Sequence, residues 1–400
     1  MGSPEVVLNE EGMREGMQIE SAEISVEDKI RLIDALSETG LRRIVVGSFV
    51  SPKYTPQMAR VEEIVSGFHP KPGVTYTALL VNERALERAS KFSPPLTIER
   101  PFRTVSHLCD VFTRRNYNRT QEEEIAAWEP AVQRATQAAA AEAGIGVNAA
   151  WGSNFCGEFS EAQRMAFLSR QKVLWDAAGI SVTSIFFGDP MSWTMPHVVE
   201  HQLETIKHTW PQIRNFHLHL HNGRGMAPAA IYAALRVLDE RDSLMLDTTI
   251  GGMGGCPYCG NGRVTNMAPT EDMVQMLEEM GVPTGVDLYR LVEVVWLAEE
   301  VVGHKLWGHV SKAGPLPRGR RLYPVDMPFV ETEEQARHFL LGPGAYSDNP
   351  ISPWSEPIRS PQRDAIDAGM AQRSAAGSQP RDGSAGRPPI VSQLRPRALR

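Results

Sequence analysis

Short β-branched runs alternate with stretches of helical period along most of the chain. Candidate strands lie at 6–8, 43–46, 75–79, 104–108, 144–149, 182–187, 216–220 and 244–246. Helical patterns fall at 26–39, 121–143, 161–177, 196–209, 226–240 and 270–280. In the first of these, Ile30, Ile33 and Leu36 recur at helical spacing, with Ser25 ahead as an N-cap and Gly40 behind. Eight strands, each followed by a helix, predict a (β/α)₈ barrel of the TIM type over 5–302. A doubly wound open sheet has the same alternation, but no Gly-x-Gly-x-x-Gly turn follows the first strand.

The pattern changes after Val302. Residues 303–361, rich in Pro, Gly and Arg but still holding Tyr346 and Trp354, are expected to wrap the barrel as an extension. From Gln362 there is no aromatic residue, and seven arginines stand against three aspartates. Such a segment cannot bury enough apolar surface to offset its ordering entropy, so 362–400 is expected to be a disordered tail.

Composition narrows the function. The 400 residues are 42% hydrophobic and 22% charged, ordinary for a globular protein. A net charge of −7 argues against a general nucleic-acid binder, which needs a basic face for phosphates. No apolar run approaches bilayer length, and no basic-then-apolar leader opens the chain, so a cytoplasmic location away from membranes is expected. The four cysteines, Cys109, Cys156, Cys256 and Cys259, are too few for a disulfide framework. Cys256 and Cys259 form a Cys-x-x-Cys pair, but no second pair or nearby histidines complete a zinc site.

Four segments could carry chemistry. In His219-Leu220-His221-Asn222-Gly223, both histidines point to one side of a strand near its end, where two imidazoles can grip one divalent cation. The alternative is a pair of hydrogen-bonded histidines at a polar strand end. His217 shares that face one step deeper and is expected to be structural. Arg14-Glu15, beyond the first strand, offers a carboxylate beside a fixed cation that can stabilise an enolate oxygen. Gly251-Gly252-Met253-Gly254-Gly255-Cys256 reads as a mobile loop in which a cysteine could act as general acid. Asn266 follows shortly after, ahead of a helix start at Thr270-Glu271-Asp272.

Taken together, these segments resemble hydroxymethylglutaryl-CoA lyase and its superfamily of metal-dependent barrel lyases and synthases. The resemblance spans about Val6 to Ala298. It is carried also by Ser48-Phe49-Val50-Ser51-Pro52-Lys53-Tyr54, Pro56-Gln57-Met58, Phe112-Thr113-Arg114-Arg115-Asn116, Gly254-Gly255-Cys256-Pro257-Tyr258 and Gly285-Val286-Asp287-Leu288. It implies a divalent metal, Mg²⁺ or Mn²⁺, held by Glu15, His219, His221 and Asn266. It implies Arg14, Asp189 and Cys256 as catalytic residues, and Gln18 and Asn116 as substrate-binding ones. The implied partner is a small acyl-CoA or hydroxy-acid substrate, and the implied assembly a homodimer.

There are departures. Asn222 stands where the family carries Asp, Gly223-Arg224-Gly225 replaces the usual Thr-Tyr-Gly, and Val45 falls where the lyases have Glu. The reaction expected is cleavage of a β-hydroxyacyl-CoA to acetyl-CoA and a keto acid. The alternatives are a Claisen-type synthase running the reverse chemistry and a non-catalytic metal- or ligand-binding relative. Arg224, added where acidic groups are lost, points to an extra substrate anion or a CoA phosphate.

Overall fold

The structure is a computed structural model and describes residues 2–259 and 266–321. The loop residues 260–265, the expected extension beyond Arg321 and the expected tail at 362–400 lie outside the described residues.

Eight parallel strands carry the fold: β1 (Glu5–Glu10), β2 (Arg43–Ser48), β3 (Thr75–Leu79), β4 (Arg103–His107), β5 (Glu142–Asn148), β6 (Ser181–Asp189), β7 (Asn215–Leu220) and β8 (Ser243–Thr248). All eight predicted strands are present, most of them longer than periodicity suggested. Their order around the sheet is β3-β2-β1-β8-β7-β6-β5-β4, with helices between, a TIM-type (β/α)₈ barrel. One junction is left unzipped. The free edge of β3 is taken by Leu96 and Thr97, whose backbone amide donates to Tyr76 O at 2.8 Å. That occupancy keeps β4 from pairing with β3 along its length.

The packing helices are α1 (Val26–Ser37), α2 (Val61–Gly67), α3 (Glu83–Ala89), α4 (Trp128–Gln137), α5 (Glu161–Ala177), α6 (Pro196–Thr209), α7 (Ala227–Val237), α8 (Thr270–Glu279) and α9 (Leu288–Val302). Ser25 caps α1 as predicted, accepting from Asp28 N at 3.0 Å. The predicted helix at 121–143 divides instead into Gln121–Ala126 and α4, and its last two residues open β5. Ala139 adopts a left-handed conformation there, which ends helical propagation. The helices α2, α3 and α9 lie outside the predicted helical patterns.

Strand alternation sorts side chains between barrel and helices. On β4, Ser106 accepts from Trp128 Nε1 at 2.8 Å and Thr104 from Trp175 Nε1 at 3.0 Å, both on the helix side. Arg103, Val105 and His107 therefore face the barrel interior. On β5, Gln171 clamps the Gly146 backbone from the helix side, at 3.2 Å to N and 2.9 Å to O. One compact unit runs to Leu316, so residues 303–316 pack with the barrel. Among the described residues, no helix is long and apolar enough to cross a membrane.

Candidate metal centre

The segment after β1 is shaped by a buried carboxyl. Glu10 accepts from Gly12 N at 2.8 Å, from Ile250 N at 3.0 Å and from the Thr270 hydroxyl. It thereby ties the β1 end to the turn after β8 and to the start of α8. Burial pushes its carboxyl up to about 7. The Glu11 carbonyl then accepts from the amides of Arg14, Glu15 and Gly16, closing one wide helical turn over Gly12–Gly16. Met13 and Met17 anchor that turn in the core. Arg14 and Glu15 are thus presented together at the barrel mouth, and their side chains form an ion pair.

On β7, His217 and His219 point inward, and His221 lies just beyond the strand end. Glu15, His219 and His221 offer ligand atoms all within 4.8 Å of one another. His221 Nε2 lies 3.7 Å from Glu15 Oε1. Burial, with His219 and Arg14 nearby, holds His221 well below its ordinary pKa, so it is a neutral imidazole. For His219, burial pulls downward, but the Asp247 hydrogen bond, together with Glu11 and Glu15, prevails and raises it to about 9. Four buried atoms in and beside the site have no hydrogen-bond partner among the described residues: Arg14 Nε, His217 Nε2, His221 Nδ1 and Asn266 Oδ1.

This donor set fits a divalent cation. One carboxylate and two imidazoles converge, and a buried amide oxygen is left without a donor nearby. Asn266 is placed by its backbone, donating to Gly254 O at 2.9 Å and accepting from Asn222 N at 2.7 Å. Gly254 has φ +99°, and a Cβ there would lie 2.7 Å from Glu15 O. The glycine run therefore serves close approach to the Arg14-Glu15 turn. It is pinned rather than mobile over its first residues: Gly251 N donates to Glu271 at 2.9 Å, and Gly251 O accepts from Trp307 N at 2.8 Å.

The other expected residues stand at different distances from this cluster, Asp189 beside it, where its backbone carbonyl accepts from His221 N at 3.2 Å. Asp189 is fully buried at the β6 end, and its carboxylate accepts from Thr194 N at 2.6 Å, from the Thr194 hydroxyl and from Met191 N. Burial raises its pKa. Cys256 belongs to a separate apolar cluster with Cys109, Phe112, Ala149, Phe159, Met191 and Cys259. Its hydrogen bond with Cys259, followed by burial, pushes the Cys259 thiol up, and Cys259 Sγ donates to Pro190 O at 2.9 Å. Arg224 is held against the segment that follows β6. Its guanidinium donates to Met191 O at 2.5 Å and Ser192 O at 3.0 Å, and lies over the Trp193 ring. Gln18 and Asn116 are half-buried and make no side-chain hydrogen bond among the described residues. Asn222, where the family has Asp, accepts at 3.0 Å from Ala227 N, the first amide of α7.

Several residues at this centre were not picked out by sequence. Asp247 accepts from His219 Nδ1 at 2.8 Å and from Asn9 Nδ2 at 2.7 Å, and its other histidine neighbour, His217 Nε2, is 2.8 Å away. Glu11 pairs with Arg14 at 3.1 Å. β2 (Arg43–Ser48) carries no carboxylate, so Glu11 is the second carboxylate beside Glu15 at this end of the barrel. Glu11, His219 and Asp247 form a second group of metal-type ligands sharing His219. The available signal was a lone Asp on the last strand, in register with His219.

A family model described as HMGL-like matches residues 5–297. The Pseudomonas aeruginosa 3-hydroxy-3-isohexenylglutaryl-CoA/hydroxy-methylglutaryl-CoA lyase is 31% identical over 308 residues, covering 77% of this chain and 96% of its own. The mitochondrial hydroxymethylglutaryl-CoA lyase of Mus musculus is 33% identical over 310 residues, with 77% and 89% covered. Among solved structures, the Bacillus subtilis HMG-CoA lyase superposes with a TM-score of 0.64 at 30% identity, over 78% of this chain and 98% of that one. An HMG-CoA lyase from Acinetobacter baumannii, solved with coenzyme A and 3-methylmalate, gives 0.64 at 26% identity, over 82% and 98%. With its barrel, its Glu-His-His cluster and its Gly-Gly-Cys-Pro-Tyr loop, the chain belongs to the HMGL-like family of lyase enzymes.

Proposed function

We propose that this protein is a divalent-metal-dependent carbon–carbon lyase. It cleaves a β-hydroxyacyl-CoA resembling 3-hydroxy-3-methylglutaryl-CoA to acetyl-CoA and a keto acid. The observation that carries the reading is the convergence of Glu15, His219 and His221, with Arg14 bound to the same carboxylate. The relatives named above support the choice of a CoA thioester.

Glu15, His219, His221 and Asn266 would hold Mg²⁺ or Mn²⁺. Bound there, the cation supplies Lewis-acid polarisation of substrate oxygens and eases loss of the hydroxyl proton. The protein does the rest. Asp189, its carboxyl drawn up by burial, accepts the proton from the substrate hydroxyl. The bond between the carbinol carbon and the thioester α-carbon then breaks, the carbinol becomes a ketone, and the electron pair stays on the acetyl fragment as its enolate. Arg14 stabilises the enolate oxygen as a cation that does not deprotonate at working pH. Cys256 delivers the proton that completes acetyl-CoA. Asp247 holds the His219 ring through Nδ1 and leaves Nε2 as its other nitrogen.

The test is mass-spectrometric detection of acetyl-CoA and a keto acid from a panel of β-hydroxyacyl-CoAs with Mn²⁺ or Mg²⁺. Turnover that disappears in His221→Ala, along with bound metal, is expected. Free CoA released from acetyl-CoA plus α-keto acids would assign the synthase direction instead. Metal retained with no turnover on any substrate would leave a binding relative.

A further inference from the structure

The unzipped junction between β3 and β4 opens a cavity of about 430 Å³. It begins at the metal-side residues Glu11, Arg14 and His219 and continues to Ala127, Trp128 and Ala131, on the stretch that enters and forms α4. It is therefore more than the barrel mouth: it leaves the interior through the side wall. Its apolar lining includes Leu79, Val105 and Phe186.

The charges on this cavity do not cancel. Its carboxylates are already engaged. Glu124 meets His107 Nδ1 at 2.9 Å, Asp247 meets His219, and Glu11 meets Arg14. Its arginines divide differently. Arg14 is paired, but the exposed side chains of Arg103, Arg119 and Arg134, which line the cavity rim, make no hydrogen bond or ion pair among the described residues. Four arginines face three carboxylates along the lining, an excess of positive charge that favours an anion, and Arg grips carboxylates bidentately. Arg103 opens β4 as an exposed residue, and its register partner on β5 is Gly144, which presents no side chain beside it.

We infer that the side-wall cavity is an acyl subsite: the substrate's acyl arm passes between β3 and β4 and ends in a carboxylate bound by Arg103, with Arg134 and Arg119. This rests on the lyase reading and narrows its substrate class to acyl arms longer than methylglutaryl with a distal carboxylate. A CoA phosphate would supply the same negative charge. The carboxylate is the assignment because the cavity starts at the reacting centre and has apolar walls suited to a methylene chain.

The experiment titrates the full chain, with and without Mn²⁺, with diacids from glutarate to suberate and with monocarboxylates of equal length. Adenosine 3′,5′-bisphosphate serves as the phosphate probe. The wild type is expected to prefer suberate over octanoate by about tenfold or more, the worth of one charge-assisted contact. The preference should rise from glutarate to suberate, collapse in Arg103→Met/Arg134→Met and survive in Arg103→Lys. Mn²⁺ binding by the variants, read by electron paramagnetic resonance, should stay at the wild-type level and shows that they are folded. An equal diacid preference in wild type and double variant overturns the subsite, as does its absence in a wild type that binds Mn²⁺. Loss of bisphosphate binding alone in the double variant overturns the carboxylate assignment. A wild type that binds no Mn²⁺ sinks the lyase reading, while the diacid comparison between arginine variants still decides the subsite.

Discussion

The Asp247 carboxylate accepts from His219 Nδ1 at 2.8 Å, and the two residues are register partners on adjacent parallel strands. The contact engages Nδ1 of His219 and leaves Nε2 as the ring's other nitrogen. Asp247→Asn keeps the shape but loses the charge. Metal affinity should fall by about 10- to 100-fold with the barrel still folded. Isothermal titration with Mn²⁺ measures it, and an unchanged affinity would show that His219 needs no such support.

The two cysteines of the Cys-x-x-Cys pair should separate. Cys256→Ser is expected to lower kcat by about 10²- to 10⁴-fold with little change in KM, because proton delivery acts in the transition state. Cys259 is fully buried and donates to Pro190 O, so Cys259→Ser should cost roughly 1 kcal/mol of stability and leave kcat within a few fold. Paired kinetics and thermal melts read both. Equal kinetic losses would assign the pair a joint role.

Stability should fall as pH rises through neutrality. Glu10 and Glu271 are buried carboxyls raised by burial to about 7 and about 8, so the fold favours their protonated forms. The stability they lend is complete below the ordinary carboxylate value of 4.5 and declines as pH passes through those raised values. Tm should therefore drop between pH 5 and pH 8, by about 2–4 °C for each kcal/mol lost. Glu10→Gln, which stays neutral and keeps an acceptor for Gly12 N and Ile250 N, should flatten part of that slope. Identical slopes in both proteins would place the titration elsewhere.

Arg224 binds the carbonyls of Met191 and Ser192, which follow Asp189. Arg224→Met should raise KM by a similar factor, about tenfold at most for a lost charge-assisted contact, on full CoA substrates and on truncated thioesters. A loss confined to the full substrates would return Arg224 to the CoA phosphates.

The barrel was legible because its information is local. Strand alternation and helical period need only a few neighbouring residues, and helices 161–177 and 196–209 match their predicted ends. The failure at 121–143 is of the same kind: a continuous helical composition hid a left-handed residue at Ala139. His219 and His221 were legible as a pair because two-residue spacing on a strand sets their common side.

What only the tertiary structure decided is which distant residues meet. Asp247 joins His219 through strand register, Glu11 brings a second carboxylate to Arg14 and His219 from the turn after β1, and Leu96 occupies the free edge of β3. Arg224 shows the converse. Its place in the sequence put it beside the metal ligands, but nearby carbonyls claimed its donors. Arg103, Arg119 and Arg134 stand apart in the sequence and share one cavity. Periodicity fixes the side of an element a residue occupies; partners across the barrel follow from register, closure and competition for hydrogen bonds, and these exist only once the chain is folded.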